Sequence, residues 1–117
     1  MSKYMRKDFF AMTVDDLERI LGRLLENMRL GEIKIQGATR SATAVANERL
    51  RMGEQAFGMR IEISIAWSEQ SDGVTVIVTV HEPQIQQEWV GCLCNRLADS
   101  LIGALRTVFE MEHGVDA

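Results

Sequence analysis

Between Phe57 and Val80 the chain alternates apolar and other residues with a period of two, and few folds accommodate that pattern. Phe57, Met59, Ile61, Ile63, Ile65 and Trp67 hold every second position, with Gly58, Arg60, Glu62, Ser64 and Ala66 between them. Val74, Val76, Val78 and Val80 repeat the rhythm after Asp72-Gly73. Successive side chains on a strand point to opposite faces, so each run has one apolar face and one largely polar face. Asp-Gly suits a two-residue type I′ turn, whose central residues need positive φ. The pattern predicts an antiparallel hairpin in which Ser71 pairs with Val74, Trp67 with Val78 and Ile65 with Val80. In that register Ser64 lies opposite His81, Ala66 opposite Thr79 and Ser68 opposite Ile77.

Two amphipathic helices flank the strands. Thr13 supplies a cap hydroxyl and Asp16 completes the pattern of a reciprocal capping box, with Met12 and Leu17 placed for a hydrophobic staple. Val14, Leu17, Ile20, Leu21, Leu24, Leu25 and Met28 then recur at helical steps and form one apolar stripe. Gly31 is the expected stop, because glycine enters the left-handed region at little cost. A longer helix is predicted from about Gln84 to Met111, after Pro83 ends the preceding strand. Val90, Leu93, Leu97, Leu101, Ala104, Val108 and Met111 project as one stripe, and Cys94, Ala98, Ile102, Leu105 and Phe109 as an adjoining one. Glu88, Asn95, Asp99, Arg106 and Glu110 form the expected wet side. The combined apolar arc is roughly 180°, wider than the ~100° to 140° that one sheet face covers.

Ile33 and Ile35 alternate with polar neighbours and predict a short strand before Gly37. From Ala42 to Ala56 the propensities conflict: the alanines with Glu48, Arg49, Leu50 and Met52 favour helix, whereas Thr43 and Val45 favour strand. The position between two strands predicts a strand to about Leu50. The whole order predicts an α+β two-layer sandwich, with both helices on the Ile/Val face of an antiparallel sheet. That sheet has four strands, or five if Asp8 to Met12 pairs at an edge. Neither repeats nor a Pro/Ser-rich linker interrupt the sequence, so a single domain over residues 1–117 is expected, fraying at about 1–7 and 113–117. With the edge strand, the element order is similar to a shortened helix-grip fold, in which a curved antiparallel sheet wraps a long C-terminal helix around an apolar cavity. That resemblance implies a small-ligand carrier, with Met59, Trp67, Trp89 and Phe109 as the lining.

Composition narrows the function classes. Hydrophobic residues make up 46% and charged residues 26%, a globular mixture. The 13 Lys plus Arg against 17 Asp plus Glu leave a net charge of -4, which argues against an electrostatically driven nucleic-acid binder. Arg40, Arg49, Arg51 and Arg60 near Phe57 outline a basic edge, but Glu48, Glu54 and Glu62 interleave with them. No apolar run approaches the ~20 residues of a membrane helix. The first ten residues carry Lys3, Arg6, Lys7 and Asp8 rather than a signal-peptide core, so a cytoplasmic location is expected. Cys92 and Cys94, two apart on a helix, diverge by about 200° and cannot close a disulfide. With His81 and His113 they lack chelating spacing, and Gly37, Gly53 and Gly58 form no phosphate loop, so neither metal nor cofactor is expected.

Three readings follow. The wide apolar arc of the long helix predicts a non-catalytic interaction or assembly module, homo-oligomeric or paired with another protein, whose seam is Ala98, Ile102, Leu105 and Phe109. The alternative is the helix-grip carrier of a small apolar ligand. The third is a hydrolase-like enzyme using His81 as base beside Ser64, since directly opposed residues have Cβ atoms about 5 Å apart. No nucleophile elbow or carboxylate cluster accompanies that pair, so no catalytic residue is assigned.

Overall fold

The computed structural model describes residues 2–52, 54–84 and 88–114, and within them the side chains outside 50–52 and 55–57. In chain order the elements are β1 (Lys3–Phe10), α1 (Val14–Asn27), β2 (Gly31–Gln36), β3 (Ser41–Met52), β4 (Gln55–Gln70), β5 (Gly73–His81) and α2 (Glu88–His113). A 3-10 turn at Gly37–Thr39 joins β2 to β3. The strands form a five-stranded sheet in the order β1-β5-β4-β3-β2, with every neighbouring pair antiparallel. This is the α+β sandwich that the periodicities predict, with the fifth strand present. The expected inward placement of Phe57, the residues between Gln84 and Glu88 at the expected helix start and the expected fraying over 115–117 lie outside the described residues.

The fifth strand starts earlier than Asp8. Lys3 pairs with His81 and Phe10 with Val74, so residues 3–7, expected to fray, are paired strand. Tyr4, Arg6 and Asp8 alternate with Lys3, Met5 and Lys7, and that row hides a strand from any search for apolar alternation. The contested stretch is strand as far as Met52. Ala42, Ala44 and Ala46 are buried opposite Ile65, Ile63 and Ile61, where small residues facing large ones fill a thin layer. Pairing with β4 along its whole length, and with β2 as far as Val45, overrides the helical preference of alanine.

One core lies between the sheet and the two helices. Ile61, Ile63, Ile65, Val74, Val76, Val78 and Val80 are buried there with Leu17, Ile20, Leu21, Leu24 and Leu25 of α1 and with Val90, Cys94, Ala98, Leu101 and Leu105 of α2. β5 pairs with β4 only over Glu62–Gln70, and β2 pairs with β3 only as far as Val45. Among the described residues, the rest of β3 and β4 pair only with each other, from Ala46↔Ile61 to Met52↔Gln55. This two-stranded arm extends past the body of the sheet, and the molecule measures 51 × 33 × 22 Å.

The β4–β5 hairpin departs from the expected register. Gln70 pairs with Gly73, Trp67 with Val76, Ile65 with Val78 and Ile63 with Val80. The turn residues are Ser71 and Asp72, neither of which has positive φ, so the turn is not type I′. The offset from the expected pairing is two residues. Because the side-chain period is also two, every residue keeps its expected face and only its partner changes. Gly73 is required by the end of β1, which passes close against it, and not by the turn.

At the start of α1, Thr13 Oγ1 accepts a hydrogen bond from the Asp16 N–H at 3.2 Å, and Met12 and Leu17 are both buried. The Asp16 carboxylate faces Arg19 at 3.5 Å and His113 at 4.0 Å, so only the Thr13 half of the box is present among the described residues. The helix stops before Gly31. Arg29 takes φ 58°, its N–H donates to Glu26 O at 2.9 Å, and the Leu30 N–H donates to Leu25 O at 3.2 Å. Those two bonds make a Schellman motif with arginine where glycine is usual.

Candidate functional sites

The seam expected on α2 belongs to the chain's own core. Ala98 and Leu105 are 0% and 1% exposed, while Ile102 and Phe109 are half-buried against the same cluster. The expected wet side is engaged too. Arg6 of β1 donates to Asp99 at 2.6 Å and to Asn95. Arg106 donates to Asp8 at 3.1 Å and to the Phe9 carbonyl at 2.6 Å. Its guanidinium stands 4.3 Å from the Phe10 ring centre and 5.4 Å from that of Phe109. α2 is therefore covered on its apolar side by the sheet and along a polar side by β1. Of the wide apolar arc that predicts a partner, Val90, Cys94, Ala98, Leu101 and Leu105 are buried in the chain's own core, and Met111 is exposed.

The four expected lining residues divide between the two ends of α2. Met59 is opposite Glu48 on the arm, and Glu48 and Trp89 share a groove at the start of α2. Trp67 is opposite Val76, which is opposite Asp8, and Phe109 packs edge-on to Phe10 with ring centres 5.6 Å apart. Twenty residues of helix separate Trp89 from Phe109, about 30 Å at 1.5 Å per residue. They do not share one cavity. Trp67 is buried, and its indole N–H has no hydrogen-bond partner among the described residues.

The groove at the start of α2 has a volume of about 310 Å³ and is lined by Glu48, Arg49, Trp89, Cys92, Leu93 and Arg96. Trp89, Cys92, Leu93 and Arg96 stand at steps of three, one and three, one face of a helix. That spacing was available in the sequence; the approach of Glu48 and Arg49 was not, because it depends on how the arm lies over the helix. Trp89 is 42% exposed and Cys92 is exposed. Cys94 points the other way, into the core, where burial first and the Glu82 carboxylate second push its thiol up to about 11.

A second cluster lies on the sheet face turned away from the helices. Ser64 Oγ and His81 Nε2 are 3.0 Å apart, although Ser64 is directly opposite Thr79 and His81 opposite Glu62. The contact expected from direct pairing is thus made along the diagonal of the ladder. On its other side Ser64 is opposite Thr43 of β3. Two shallow recesses flank the pair. One of about 260 Å³ is lined by residues that include Glu32, Lys34, Thr43, Arg60, Glu62 and Ser64. The other, of about 270 Å³, is lined by Arg60, Glu62, His81, Glu82 and Pro83. Arg60 pairs with Glu32, whose carboxyl is held below its ordinary value by that hydrogen bond. On the helix side of the same strand end, beside Gly91 of α2, Tyr4 donates its hydroxyl proton to Glu82 at 2.9 Å, which raises the phenol above its usual value. Two arginines of the expected basic edge are in ion pairs, Arg60 with Glu32 and Arg40 with Glu69 at 3.1 Å. The side chains of Arg51 and Phe57 lie outside the described residues.

Among the described residues no group of three or more His, Cys, Asp or Glu is placed to hold a metal ion, and no helix is long and apolar enough to cross a membrane. No protein-family model matches the sequence, and no curated protein matches it. Among solved structures, the chain is similar to the 18 kDa protein CC1736 from Caulobacter crescentus, with a TM-score of 0.56 and 12% identity over 98% of this chain and 100% of that one. It is similar also to TTHA0849 from Thermus thermophilus, with a TM-score of 0.55 and 9% identity over 95% and 99% of the two chains. A third is ChR145 from Cytophaga hutchinsonii, with a TM-score of 0.52 and 12% identity over 100% and 98%. At these identities the likeness is one of fold: the whole chain follows the backbone course of those proteins while sharing few side chains with them.

Proposed function

We propose that the protein binds a small amphipathic ligand, with an apolar body and an anionic head, in the groove between α2 and the β3–β4 arm. The observation that carries this reading is the lining: Trp89, Cys92 and Leu93 offer apolar walls, and Arg49 and Arg96 bring two guanidiniums against the one carboxylate of Glu48. Its volume of about 310 Å³ lies at the lower end of small-molecule sites, which are mostly apolar with a few placed polar groups. Tryptophan emission tests it, because Trp89 is exposed and Trp67 is buried. Titration with decanoate should give a saturable change that disappears in Trp89→Phe, with affinity at least ~10-fold weaker in Arg96→Glu and for decanol. No saturable change, or equal binding by Arg96→Glu, would refute the reading.

A second reading, self-association, has its own support on the outer sheet face. Met5 is 57% exposed there, with Lys3 and Lys7 as its outward neighbours along β1, while the outward positions Ser64, Ala66, Thr75, Ile77 and Thr79 of β4 and β5 carry no charge. Interface centres are depleted in charge in the same way. If this face joins two copies, the mass in solution should be that of a dimer and Met5→Glu should lower it. Ile102→Glu, at the half-buried seam, should act on stability instead. A monomeric mass for the unaltered chain rules this reading out.

A further inference from the structure

The Ser64–His81 pair has a geometry that neither the groove nor self-association requires. We infer that the pair forms an acyl-transfer site for small esters, with Ser64 as the nucleophile and His81 as its base. Three features of the sheet carry this. The Ser64 Oγ to His81 Nε2 distance of 3.0 Å is within proton-transfer range. Ser64 stands in a row of hydroxyls, directly opposite Thr43 on one side and Thr79 on the other, so two O–H donors flank the point of attack with Cβ atoms about 5 Å away. The pair also reaches both recesses, which share Arg60 and Glu62 as walls: Ser64 lines the one of about 260 Å³ and His81 the one of about 270 Å³. A small ester seated in either recess has one member of the pair in its wall.

Charged groups of both signs surround the pair. His81 stands between Glu62 of β4 and Lys3 of β1, each directly opposite it, so the imidazolium that forms when the base takes a proton has one carboxylate and one ammonium neighbour. Glu82, next in sequence, turns to the helix side, where the Tyr4 hydroxyl beside Gly91 holds it at 2.9 Å. Lys34 lines the recess beside Ser64, where its ammonium favours the oxyanion of a tetrahedral intermediate.

In the first step Ser64 Oγ bonds to the ester carbonyl carbon and its proton passes to His81 Nε2. The carbon–oxygen bond to the leaving group then breaks, and the departing oxygen takes that proton. In the second step water adds to the acyl-serine while His81 takes the water proton. The Oγ–acyl bond breaks, the proton returns to Oγ, and a carboxylic acid leaves.

4-Nitrophenyl acetate is the probe. The intact protein should release a burst approaching one 4-nitrophenolate per chain and gain one acetyl group, mapped by peptide mass spectrometry to Ser64. Ser64→Ala should abolish the burst, and His81→Gln should slow it by roughly 10²-fold or more, the usual worth of a positioned base. Both exchanges are at half-buried surface positions, and a melting temperature near that of the unaltered chain confirms that the fold is intact. Acetylation confined to lysines with Ser64 unmodified would overturn the inference, as would Ser64 acylation that proceeds at the same rate in His81→Gln.

Discussion

At Gly73 a Cβ would stand 2.2 Å from the Phe10 carbonyl oxygen and 2.7 Å from Phe9 Cζ, whereas at Arg29 a full side chain is carried at φ 58°. The first position needs glycine for space, because the end of β1 crosses it. The second would be relieved by glycine, since a left-handed L-residue costs about 1–2 kcal/mol, part of which the extra backbone freedom of glycine in the unfolded chain offsets. Exchanging the two residue types should therefore move stability in opposite directions. Gly73→Ala is expected to lose about 2–3 kcal/mol through a backbone clash that cannot relax by a rotamer change. Arg29→Gly is expected to gain about 0.5 kcal/mol. Urea denaturation of both variants checks the pair of signs.

The element whose surroundings matter most is α2. Arg106 makes two kinds of contact at once, a fork onto Asp8 and the Phe9 carbonyl and a cation–π contact over the Phe10 ring with Phe109 beside it. Both depend on a planar guanidinium, which an ammonium does not reproduce. Arg106→Lys should thus lose nearly as much stability as Arg106→Met, about 1–2 kcal/mol by denaturant midpoint; full rescue by lysine would show that charge alone holds β1 to the helix. The charges of β1 also explain why this strand was only partly legible. A row of Tyr4, Arg6 and Asp8 facing a helix is not apolar alternation, and Asn95, Asp99 and Arg106 look solvated until their partners are known. The apolar side of the same helix was legible, because Val90, Cys94, Ala98, Leu101 and Leu105 repeat at helical spacing and all five are buried.

At the scale of the molecule, one exposed ion pair ties the two helices together. Arg19 of α1 donates to both oxygens of Glu112 of α2, at 3.0 and 3.1 Å, beside Asp16 and a His113 ring stacked on Phe109 at 4.8 Å. The hydrogen bond from Arg19 holds the Glu112 carboxyl below its ordinary value of 4.5. A carboxyl lowered in the folded state adds stability above its unfolded value and loses it as pH falls through the folded one. The stability difference between the unaltered chain and Glu112→Gln should accordingly be present at pH 7 and shrink to nothing as the solution is acidified below the glutamate range. Chemical denaturation at a series of pH values checks this; a difference that stays constant with pH would show that the pair contributes only packing.

Local chemistry in the sequence determined the elements and their faces. Period-two runs specified β4 and β5, helical spacing specified α1 and α2, and the inward set of each strand held even where its partner was misassigned, because a slip of two residues preserves the face. For the same reason Ser64 and His81, expected directly opposite one another, share a face and meet along the diagonal instead. What only the tertiary structure decided is everything that depends on which surfaces meet. The arm brought Glu48 and Arg49 to Trp89, β1 covered the flank of α2, and the core absorbed Ala98 and Leu105. Periodicity records which side of an element avoids water, but the identity of the neighbour that keeps water away is a property of the packed whole.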